Sequence, residues 1–196
     1  MHRRSIITLG LLAAGAAVFP QAASAAARGR RWTTIFDGRS LKGWTPVGTA
    51  NWTLADGAVQ ADKGNGFLVS DATYGDVEIR AEIWTDEKAN SGVFVRATNP
   101  AQIGTATGYE FNIFDTRPDP SYGTGGIVDV AKVTTPTKAA GKWNVLEITA
   151  VGPHLTFKVN GVTTADGQDA KHAHGRIALQ YGTGVVKFRK VQVREL

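Results

Sequence analysis

The side chains able to do chemistry sit on three short segments of alternating polarity. In GYEFNIF (108–114), an extended chain puts Glu110, Asn112 and Phe114 on one face and Tyr109, Phe111 and Ile113 on the other. In NSGVFVRA (90–97), Asn90, Gly92, Phe94 and Arg96 point one way, while Ser91, Val93 and Val95 point the other. In RIALQYG (176–182), Ile177 and Leu179 read as core, and Gln180 lies opposite with Ala178. If the three segments neighbour one another in one sheet, Arg96, Glu110, Asn112 and Gln180 line a common polar face. Planar amide, carboxylate and guanidinium groups of that kind suit a hydroxyl-rich ligand. The same pattern also describes the solvated outer face of a half-exposed antiparallel sheet, with Arg96 and Glu110 as a plain cross-strand ion pair. Alternation alone leaves both readings open.

Other chemistries fare worse. A glycosidase of the common kind needs two carboxylates flanking the scissile bond. The positions two and four after Glu110 are Asn112 and Phe114, and Asp115 has the opposite parity. Asp115 joins the Glu110 face only if the strand bends at Phe114. The chain has no Cys, which excludes thiolate chemistry, disulfides and Cys-ligated metals. His172 and His174 form a pair in DAKHAHG, with no third ligand in view. There is no GxSxG elbow and no phosphate loop. Trp32, Trp44, Trp52, Trp84 and Trp143 are candidate sugar platforms, but each taken singly is expected to pack.

The elements that must position these groups are strands. From Trp32 onward, turn signals such as Asp37-Gly38, Asp56-Gly57, Asn160-Gly161 and Asp166-Gly167 separate short β-rich segments. These segments are 76–84, 91–97, 109–115, 143–151, 155–162, 175–182 and 185–196, and Asn160-Gly161 is the strongest hairpin signal. The spacing predicts one antiparallel β-sandwich over 32–196, with no second domain. Ahead of it, residues 1–25 read as an export signal resembling the twin-arginine type. It has a basic start with Arg3 and Arg4, a short Ala/Gly/Leu stretch and an Ala23-Ser24-Ala25 cleavage site. Its apolar run is too short for a stable membrane anchor. Residues 26–31 read as a linker. A periplasmic or extracellular bacterial location is expected. The chain carries 22 Lys and Arg against 17 Asp and Glu. Without Arg3 and Arg4 the excess is three, and no basic stripe points to nucleic acid.

The segments FDGRSLKGW (36–44), WTLADGAV (52–59), GNGFLVS (64–70), NSGVFVR (90–96), GYEFNIFD (108–115), TGGI (124–127), KWNVLEI (142–148), VNGV (159–162), GRIALQ (175–180) and VKFRKVQVREL (186–196) follow one another in an order that resembles the 3-keto-disaccharide hydrolase family, also called 3-keto-glucoside 1,2-lyase and 3-keto-2-hydroxyglucal hydratase. The resemblance implies a concanavalin A-like jelly-roll sandwich acting on an oxidised saccharide or glycoside substrate. It implies Glu110 as base or ligand, Arg96 as a clamp on an oxyanion or hydroxyl, and Asp115 as a third catalytic group. Asn90, Asn112, Gln180 and Tyr109 are implied substrate contacts. The resemblance implies no certain cofactor and leaves a divalent cation open. The chain departs from the family pattern at Asn112 (Gln in the family), Val128 (often Tyr) and Tyr181–Gly182 (often His). A non-catalytic carbohydrate-binding sandwich using the same face is the alternative.

Overall fold

Period-two alternation becomes strand wherever it was read. The computed structural model describes residues 31–196; the segment expected as an export signal and residues 26–30 of the linker lie outside them. Thirteen strands run in order: β1 Thr33–Phe36, β2 Trp44–Gly48, β3 Thr53–Ala55, β4 Ala58–Ala61, β5 Gly66–Tyr74, β6 Val77–Thr85, β7 Asn90–Ala97, β8 Tyr109–Ile113, β9 Trp143–Val151, β10 His154–Val159, β11 Val162–Gln168, β12 Gly175–Thr183 and β13 Val186–Glu195. A single 3-10 turn, Pro120–Tyr122, interrupts the loop after β8. The seven expected segments are β6 to β10, β12 and β13. The predicted Asn160-Gly161 hairpin joins β10 to β11, with both residues at positive φ (53° and 81°) as a tight primed turn demands. Strands β1 to β5 are short or irregular. β2 carries Pro46 and pairs only with β5, an edge position where proline is tolerated.

The strands form two antiparallel sheets. The larger has the order β11-β10-β9-β6-β13-β4-β3, and β1 also pairs with β13. The smaller has the order β2-β5-β12-β7-β8. Their facing sides bury one core, in which Val93, Phe111, Ile113, Ile177 and Leu179 of the small sheet meet Ile79, Ile83, Leu146, Ile148, Phe157 and Phe188 of the large one. Phe111 and Phe157 meet edge to face at 5.3 Å across the gap. No helix among the described residues is long and apolar enough to cross a membrane.

Two local features set the geometry of the small sheet. In β7, Phe94 pairs with Ala178 and Ala97 with Arg176, so Val95 and Arg96 oppose Ile177 alone. This is a β-bulge, and Arg96 sits in it at φ 55°. The second feature lies at the outer edge of β8. Residues 125–128 run beside it as a surrogate strand. The Asn112 N–H donates to the Gly126 carbonyl (2.9 Å), the Gly125 N–H to the Asn112 carbonyl (3.0 Å) and the Val128 N–H to the Glu110 carbonyl (3.0 Å).

Candidate active site

The outward side of the small sheet carries two cross-strand rows. One runs Thr45, Val69, Ala178, Phe94, Glu110 and the next runs Val47, Phe67, Gln180, Gly92, Asn112. Toward β2 and β5 the rows are apolar. Val69, Phe94 and Ala178 form a small cluster with Val47, Phe67 and Ile103 against it, and Phe67 meets Phe94 edge to face at 5.4 Å. Toward β8 they are polar. Val69, Phe94 and Ala178 are themselves buried, so half-buried Val47, Phe67 and Ile103 form the apolar surface beside the polar groups.

Glu110 is the centre of the polar end. It is 9% exposed. With the Gln180 amide assigned in the orientation that satisfies its hydrogen bonds, its nitrogen donates to Glu110 Oε1 at 3.1 Å and to the Ser91 carbonyl at 3.3 Å. Gln180 is fixed at its other end too, because the Ser91 hydroxyl donates to its backbone carbonyl at 2.7 Å. Strand β7 lies between Gln180 and Glu110, and the crossing passes over Gly92. A Cβ at Gly92 would stand 2.8 Å from the Phe111 carbonyl oxygen and 3.3 Å from the Gln180 amide. Burial pushes the Glu110 carboxyl above the ordinary carboxylate range; the Arg117 charge and the Gln180 hydrogen bond oppose this, and the Asp129 charge adds to it.

Arg117 and Asp129 were not picked out as site residues by sequence reasoning. Arg117 follows Asp115 in the Pro-rich loop, and Asp129 follows the Gly-rich surrogate strand. Neither belongs to a segment with a period, so parity could not place them. The one local sign is backbone strain: Asp129 sits at φ 62°, a conformation that non-glycine residues adopt sparingly. Asn112 lies beside this group, fully buried. Its Nδ2 donates to the Tyr122 carbonyl at 2.6 Å, while Oδ1 has no partner. Asn90 lies two residues before Gly92 and packs its amide against Gly182, where a Cβ would come within 3.0 Å of Nδ2.

Three expected site residues lie elsewhere. The bulge inverts the parity of Arg96, so it leaves the Phe94 face and becomes a buried anchor, 1% exposed. Its guanidinium donates to the carbonyls of Gly75 (3.1 Å), Gly152 (2.7 Å) and His172 (3.1 Å) and to Asp76 Oδ1 (3.0 Å). It therefore ties together the β5–β6 turn, the β9–β10 turn and the loop before β12, and does not meet Glu110. Tyr109 is buried in the core by its parity. Its hydroxyl donates to Asp169 (2.9 Å) and accepts from the His172 N–H (2.9 Å), so it organises a loop and offers no contact on the Glu110 face. Asp115 accepts from the Thr124 hydroxyl and from the N–H groups of Ala139 and Ala140, both at 3.0 Å from Oδ2, which pins the β8 loop to the segment before β9.

Beyond Asp115 a cavity of about 370 Å³ opens, lined by Phe114, Asp115, Arg117, Ser121, Thr124 and Lys138 among others. Arg117 lines this cavity, and its charge is felt at Glu110. No group of three or more His, Asp and Glu among the described residues is arranged to hold a metal ion. His172 stacks edge to face on Tyr109 at 5.1 Å, and His154 pairs with Asp166 at 2.8 Å. This donor set does not fit a resident divalent cation. The tryptophans pack, as expected. Trp44 donates to the Ile35 carbonyl (2.8 Å), Trp52 lies against Tyr181 and Phe188, and Trp32, Trp84 and Trp143 lie under Arg80, Lys187 and Arg189.

Comparison with known proteins agrees with this architecture. Residues 31–194 match the family described as the 3-keto-alpha-glucoside-1,2-lyase-like domain. No curated protein matches the chain. Among solved structures, a candidate glycosyl hydrolase from Parabacteroides distasonis ATCC 8503 is similar at 21% identity and TM-score 0.71, over 85% of this chain and 100% of that one. A second from the same organism has 17% identity and TM-score 0.74, over 91% and 98%. The carbohydrate-binding module CBM66 from Bacillus subtilis has 18% identity and TM-score 0.63, over 82% and 98%. These likenesses show a shared fold, a two-sheet antiparallel sandwich.

Proposed function

This chain belongs to the 3-keto-alpha-glucoside-1,2-lyase-like domain family, and on that premise we propose that it cleaves glycosides already oxidised at C3. A C3 ketone acidifies the hydrogen on C2. The Glu110 carboxylate takes that proton, and the C2–H electron pair moves into an enolate conjugated with the ketone. Collapse of the enolate breaks the bond from C1 to the leaving-group oxygen, and the departing oxygen takes up the proton that Glu110 removed from C2, which restores the carboxylate. Water then adds across the 3-keto-2-hydroxyglucal, so the net reaction is hydrolysis. One base and one nearby cation are sufficient, and no paired carboxylate is needed.

The observation carrying this reading is the setting of Glu110. A buried carboxyl whose pKa is pushed upward is a stronger base than a solvated one once it is ionised. The Gln180 amide fixes its orientation. Arg117 takes the part that Arg96 was expected to play, because it is the guanidinium within charge range of Glu110. Asn112, wholly buried with Nδ2 held by the Tyr122 carbonyl, supports the loop beside Glu110 from behind. The export signal read in residues 1–25 would put this chemistry outside the cytoplasm; fractionation of cells expressing the full chain checks that part.

The second reading is a binding module. Half-buried Phe67, braced by Phe94 beneath it and beside amide and carboxylate groups, would hold a sugar ring without turning it over, and CBM66 shares the fold. Incubation with 3-keto-trehalose and 3-keto-glucosides separates the two. Release of the leaving group by the wild type, lost in Glu110→Gln with the fold intact, supports the enzyme. Saccharide binding with no product under any condition sinks it and leaves the module.

A further inference from the structure

The cavity beyond Asp115 carries a cation, Lys138, that the elimination chemistry does not use. Two cations, Arg117 and Lys138, line it. Neither forms an ion pair among the described residues. Asp115 is the one carboxylate in the lining, and its oxygens are already occupied by the Thr124 hydroxyl and the Ala139 and Ala140 N–H groups. The nearby Asp119 is engaged by the Ser121 N–H at 3.0 Å. The lining therefore carries two cations against one carboxylate, neither cation is in ion-pair contact with it, and Asp119 nearby is also within charge range of Arg117. A volume of about 370 Å³ accommodates one ring-sized group. Ser121 and Gly123 of the lining flank Tyr122, whose carbonyl holds Asn112, so the cavity adjoins the polar end of the small sheet, on a side toward which a group leaving C1 can extend.

We propose that this cavity is a subsite for a leaving group that carries a carboxylate or similar anion, held by Lys138 and Arg117 with Ser121 at its wall. The inference rests on the reading of Glu110 as the base acting on a glycoside. It makes the chain selective for acidic 3-keto-glycosides over neutral ones of the same shape. Exposed Lys138 supplies attraction that salt screens, and half-buried Arg117 supplies the shorter-range contact.

The test uses matched leaving groups. The full chain is assayed on the 3-keto-glucosides of 4-hydroxybenzoate and of 4-hydroxybenzamide, which differ in charge and little in shape. Wild type is expected to favour the acidic substrate by about tenfold or more in kcat/KM at low salt, an increment that one well-placed charge contact can supply. Lys138→Glu should erase or reverse that preference while leaving turnover of the benzamide glucoside unchanged. Equal kcat/KM for the two substrates in wild type, or an unchanged preference in Lys138→Glu, overturns the proposal. A binding arm keeps the two readings separate: 4-hydroxybenzoate is titrated into the ¹⁵N-labelled chain, with 4-hydroxybenzamide as control. If neither glucoside is cleaved, the enzymatic reading fails. The subsite still stands if 4-hydroxybenzoate alone shifts the amides of 117–124 and 138–139 and Lys138→Glu abolishes the shift; absence of that shift overturns it.

Discussion

Replacing Arg96 with methionine should unfold this protein more easily without touching its chemistry. The guanidinium donates four hydrogen bonds, three of them to backbone carbonyls of separate turns. At about 1 kcal/mol net for each bond, the sum is about 4 kcal/mol. Removing one partner of a buried charged network costs about 3–5 kcal/mol by direct measurement in other proteins, so the two routes agree. The ion pair with Asp76 adds little, because the Asp76 side chain is 45% exposed. For a domain of this size, each kcal/mol lowers Tm by roughly 2–4 °C, giving a fall of about 8–16 °C. Thermal and urea unfolding followed by circular dichroism measure it. Activity is then assayed well below the lowered Tm and normalised to folded protein. The anchor role predicts near-normal kcat. Wild-type stability combined with lost turnover would refute it and return Arg96 to the site.

Three further outcomes follow from the same geometry. Burial raises the Glu110 pKa, so the folded chain holds that proton more tightly than the unfolded one, and stability should fall as pH rises from the ordinary glutamate value through the raised one. Glu110→Gln should flatten that slope in pH-dependent urea titrations, and wild-type kcat/KM should rise with pH over the same window. Gly92→Ala puts a methyl 2.8 Å from a backbone oxygen and should cost about 1–3 kcal/mol, with Gln180 displaced from Glu110 and a matching loss of turnover. Asp115→Ala strands the Thr124 hydroxyl and two N–H groups. It should cost about 2–3 kcal/mol and speed hydrogen exchange at Ala139 and Ala140; unchanged exchange there would count against its role as a tie.

Parity was a reliable guide wherever the ladder stayed regular. Glu110, Asn112 and Gln180 share a face because β8 and the middle of β12 keep a strict period of two. Arg96 was misplaced because one extra residue in β7 flips everything beyond it, and VFVRA holds no glycine to announce a bulge. Tyr109 was legible as core from its parity; the family resemblance pulled the other way. Asp115 does turn away from Glu110, as its parity said. Arg117 and Asp129 were beyond reach because their placement depends on how a long irregular loop docks on β8. That is a long-range packing outcome with no local pattern to read. The early strands β1 to β4 are too short for alternation to register.

The position of β13 in the large sheet has a kinetic consequence. It comes last in chain order, yet it lies inside the sheet, with β6 on one side and β4 and β1 in succession on the other. Until residues 186–195 are available, β6 presents a bare edge and the halves of that sheet have nothing to join them. Folding should therefore wait for the finished chain and proceed slowly, on the milliseconds-to-seconds scale of sandwiches dominated by distant pairings. A truncation that removes β13 should leave a species prone to edge-to-edge association, not a smaller folded domain.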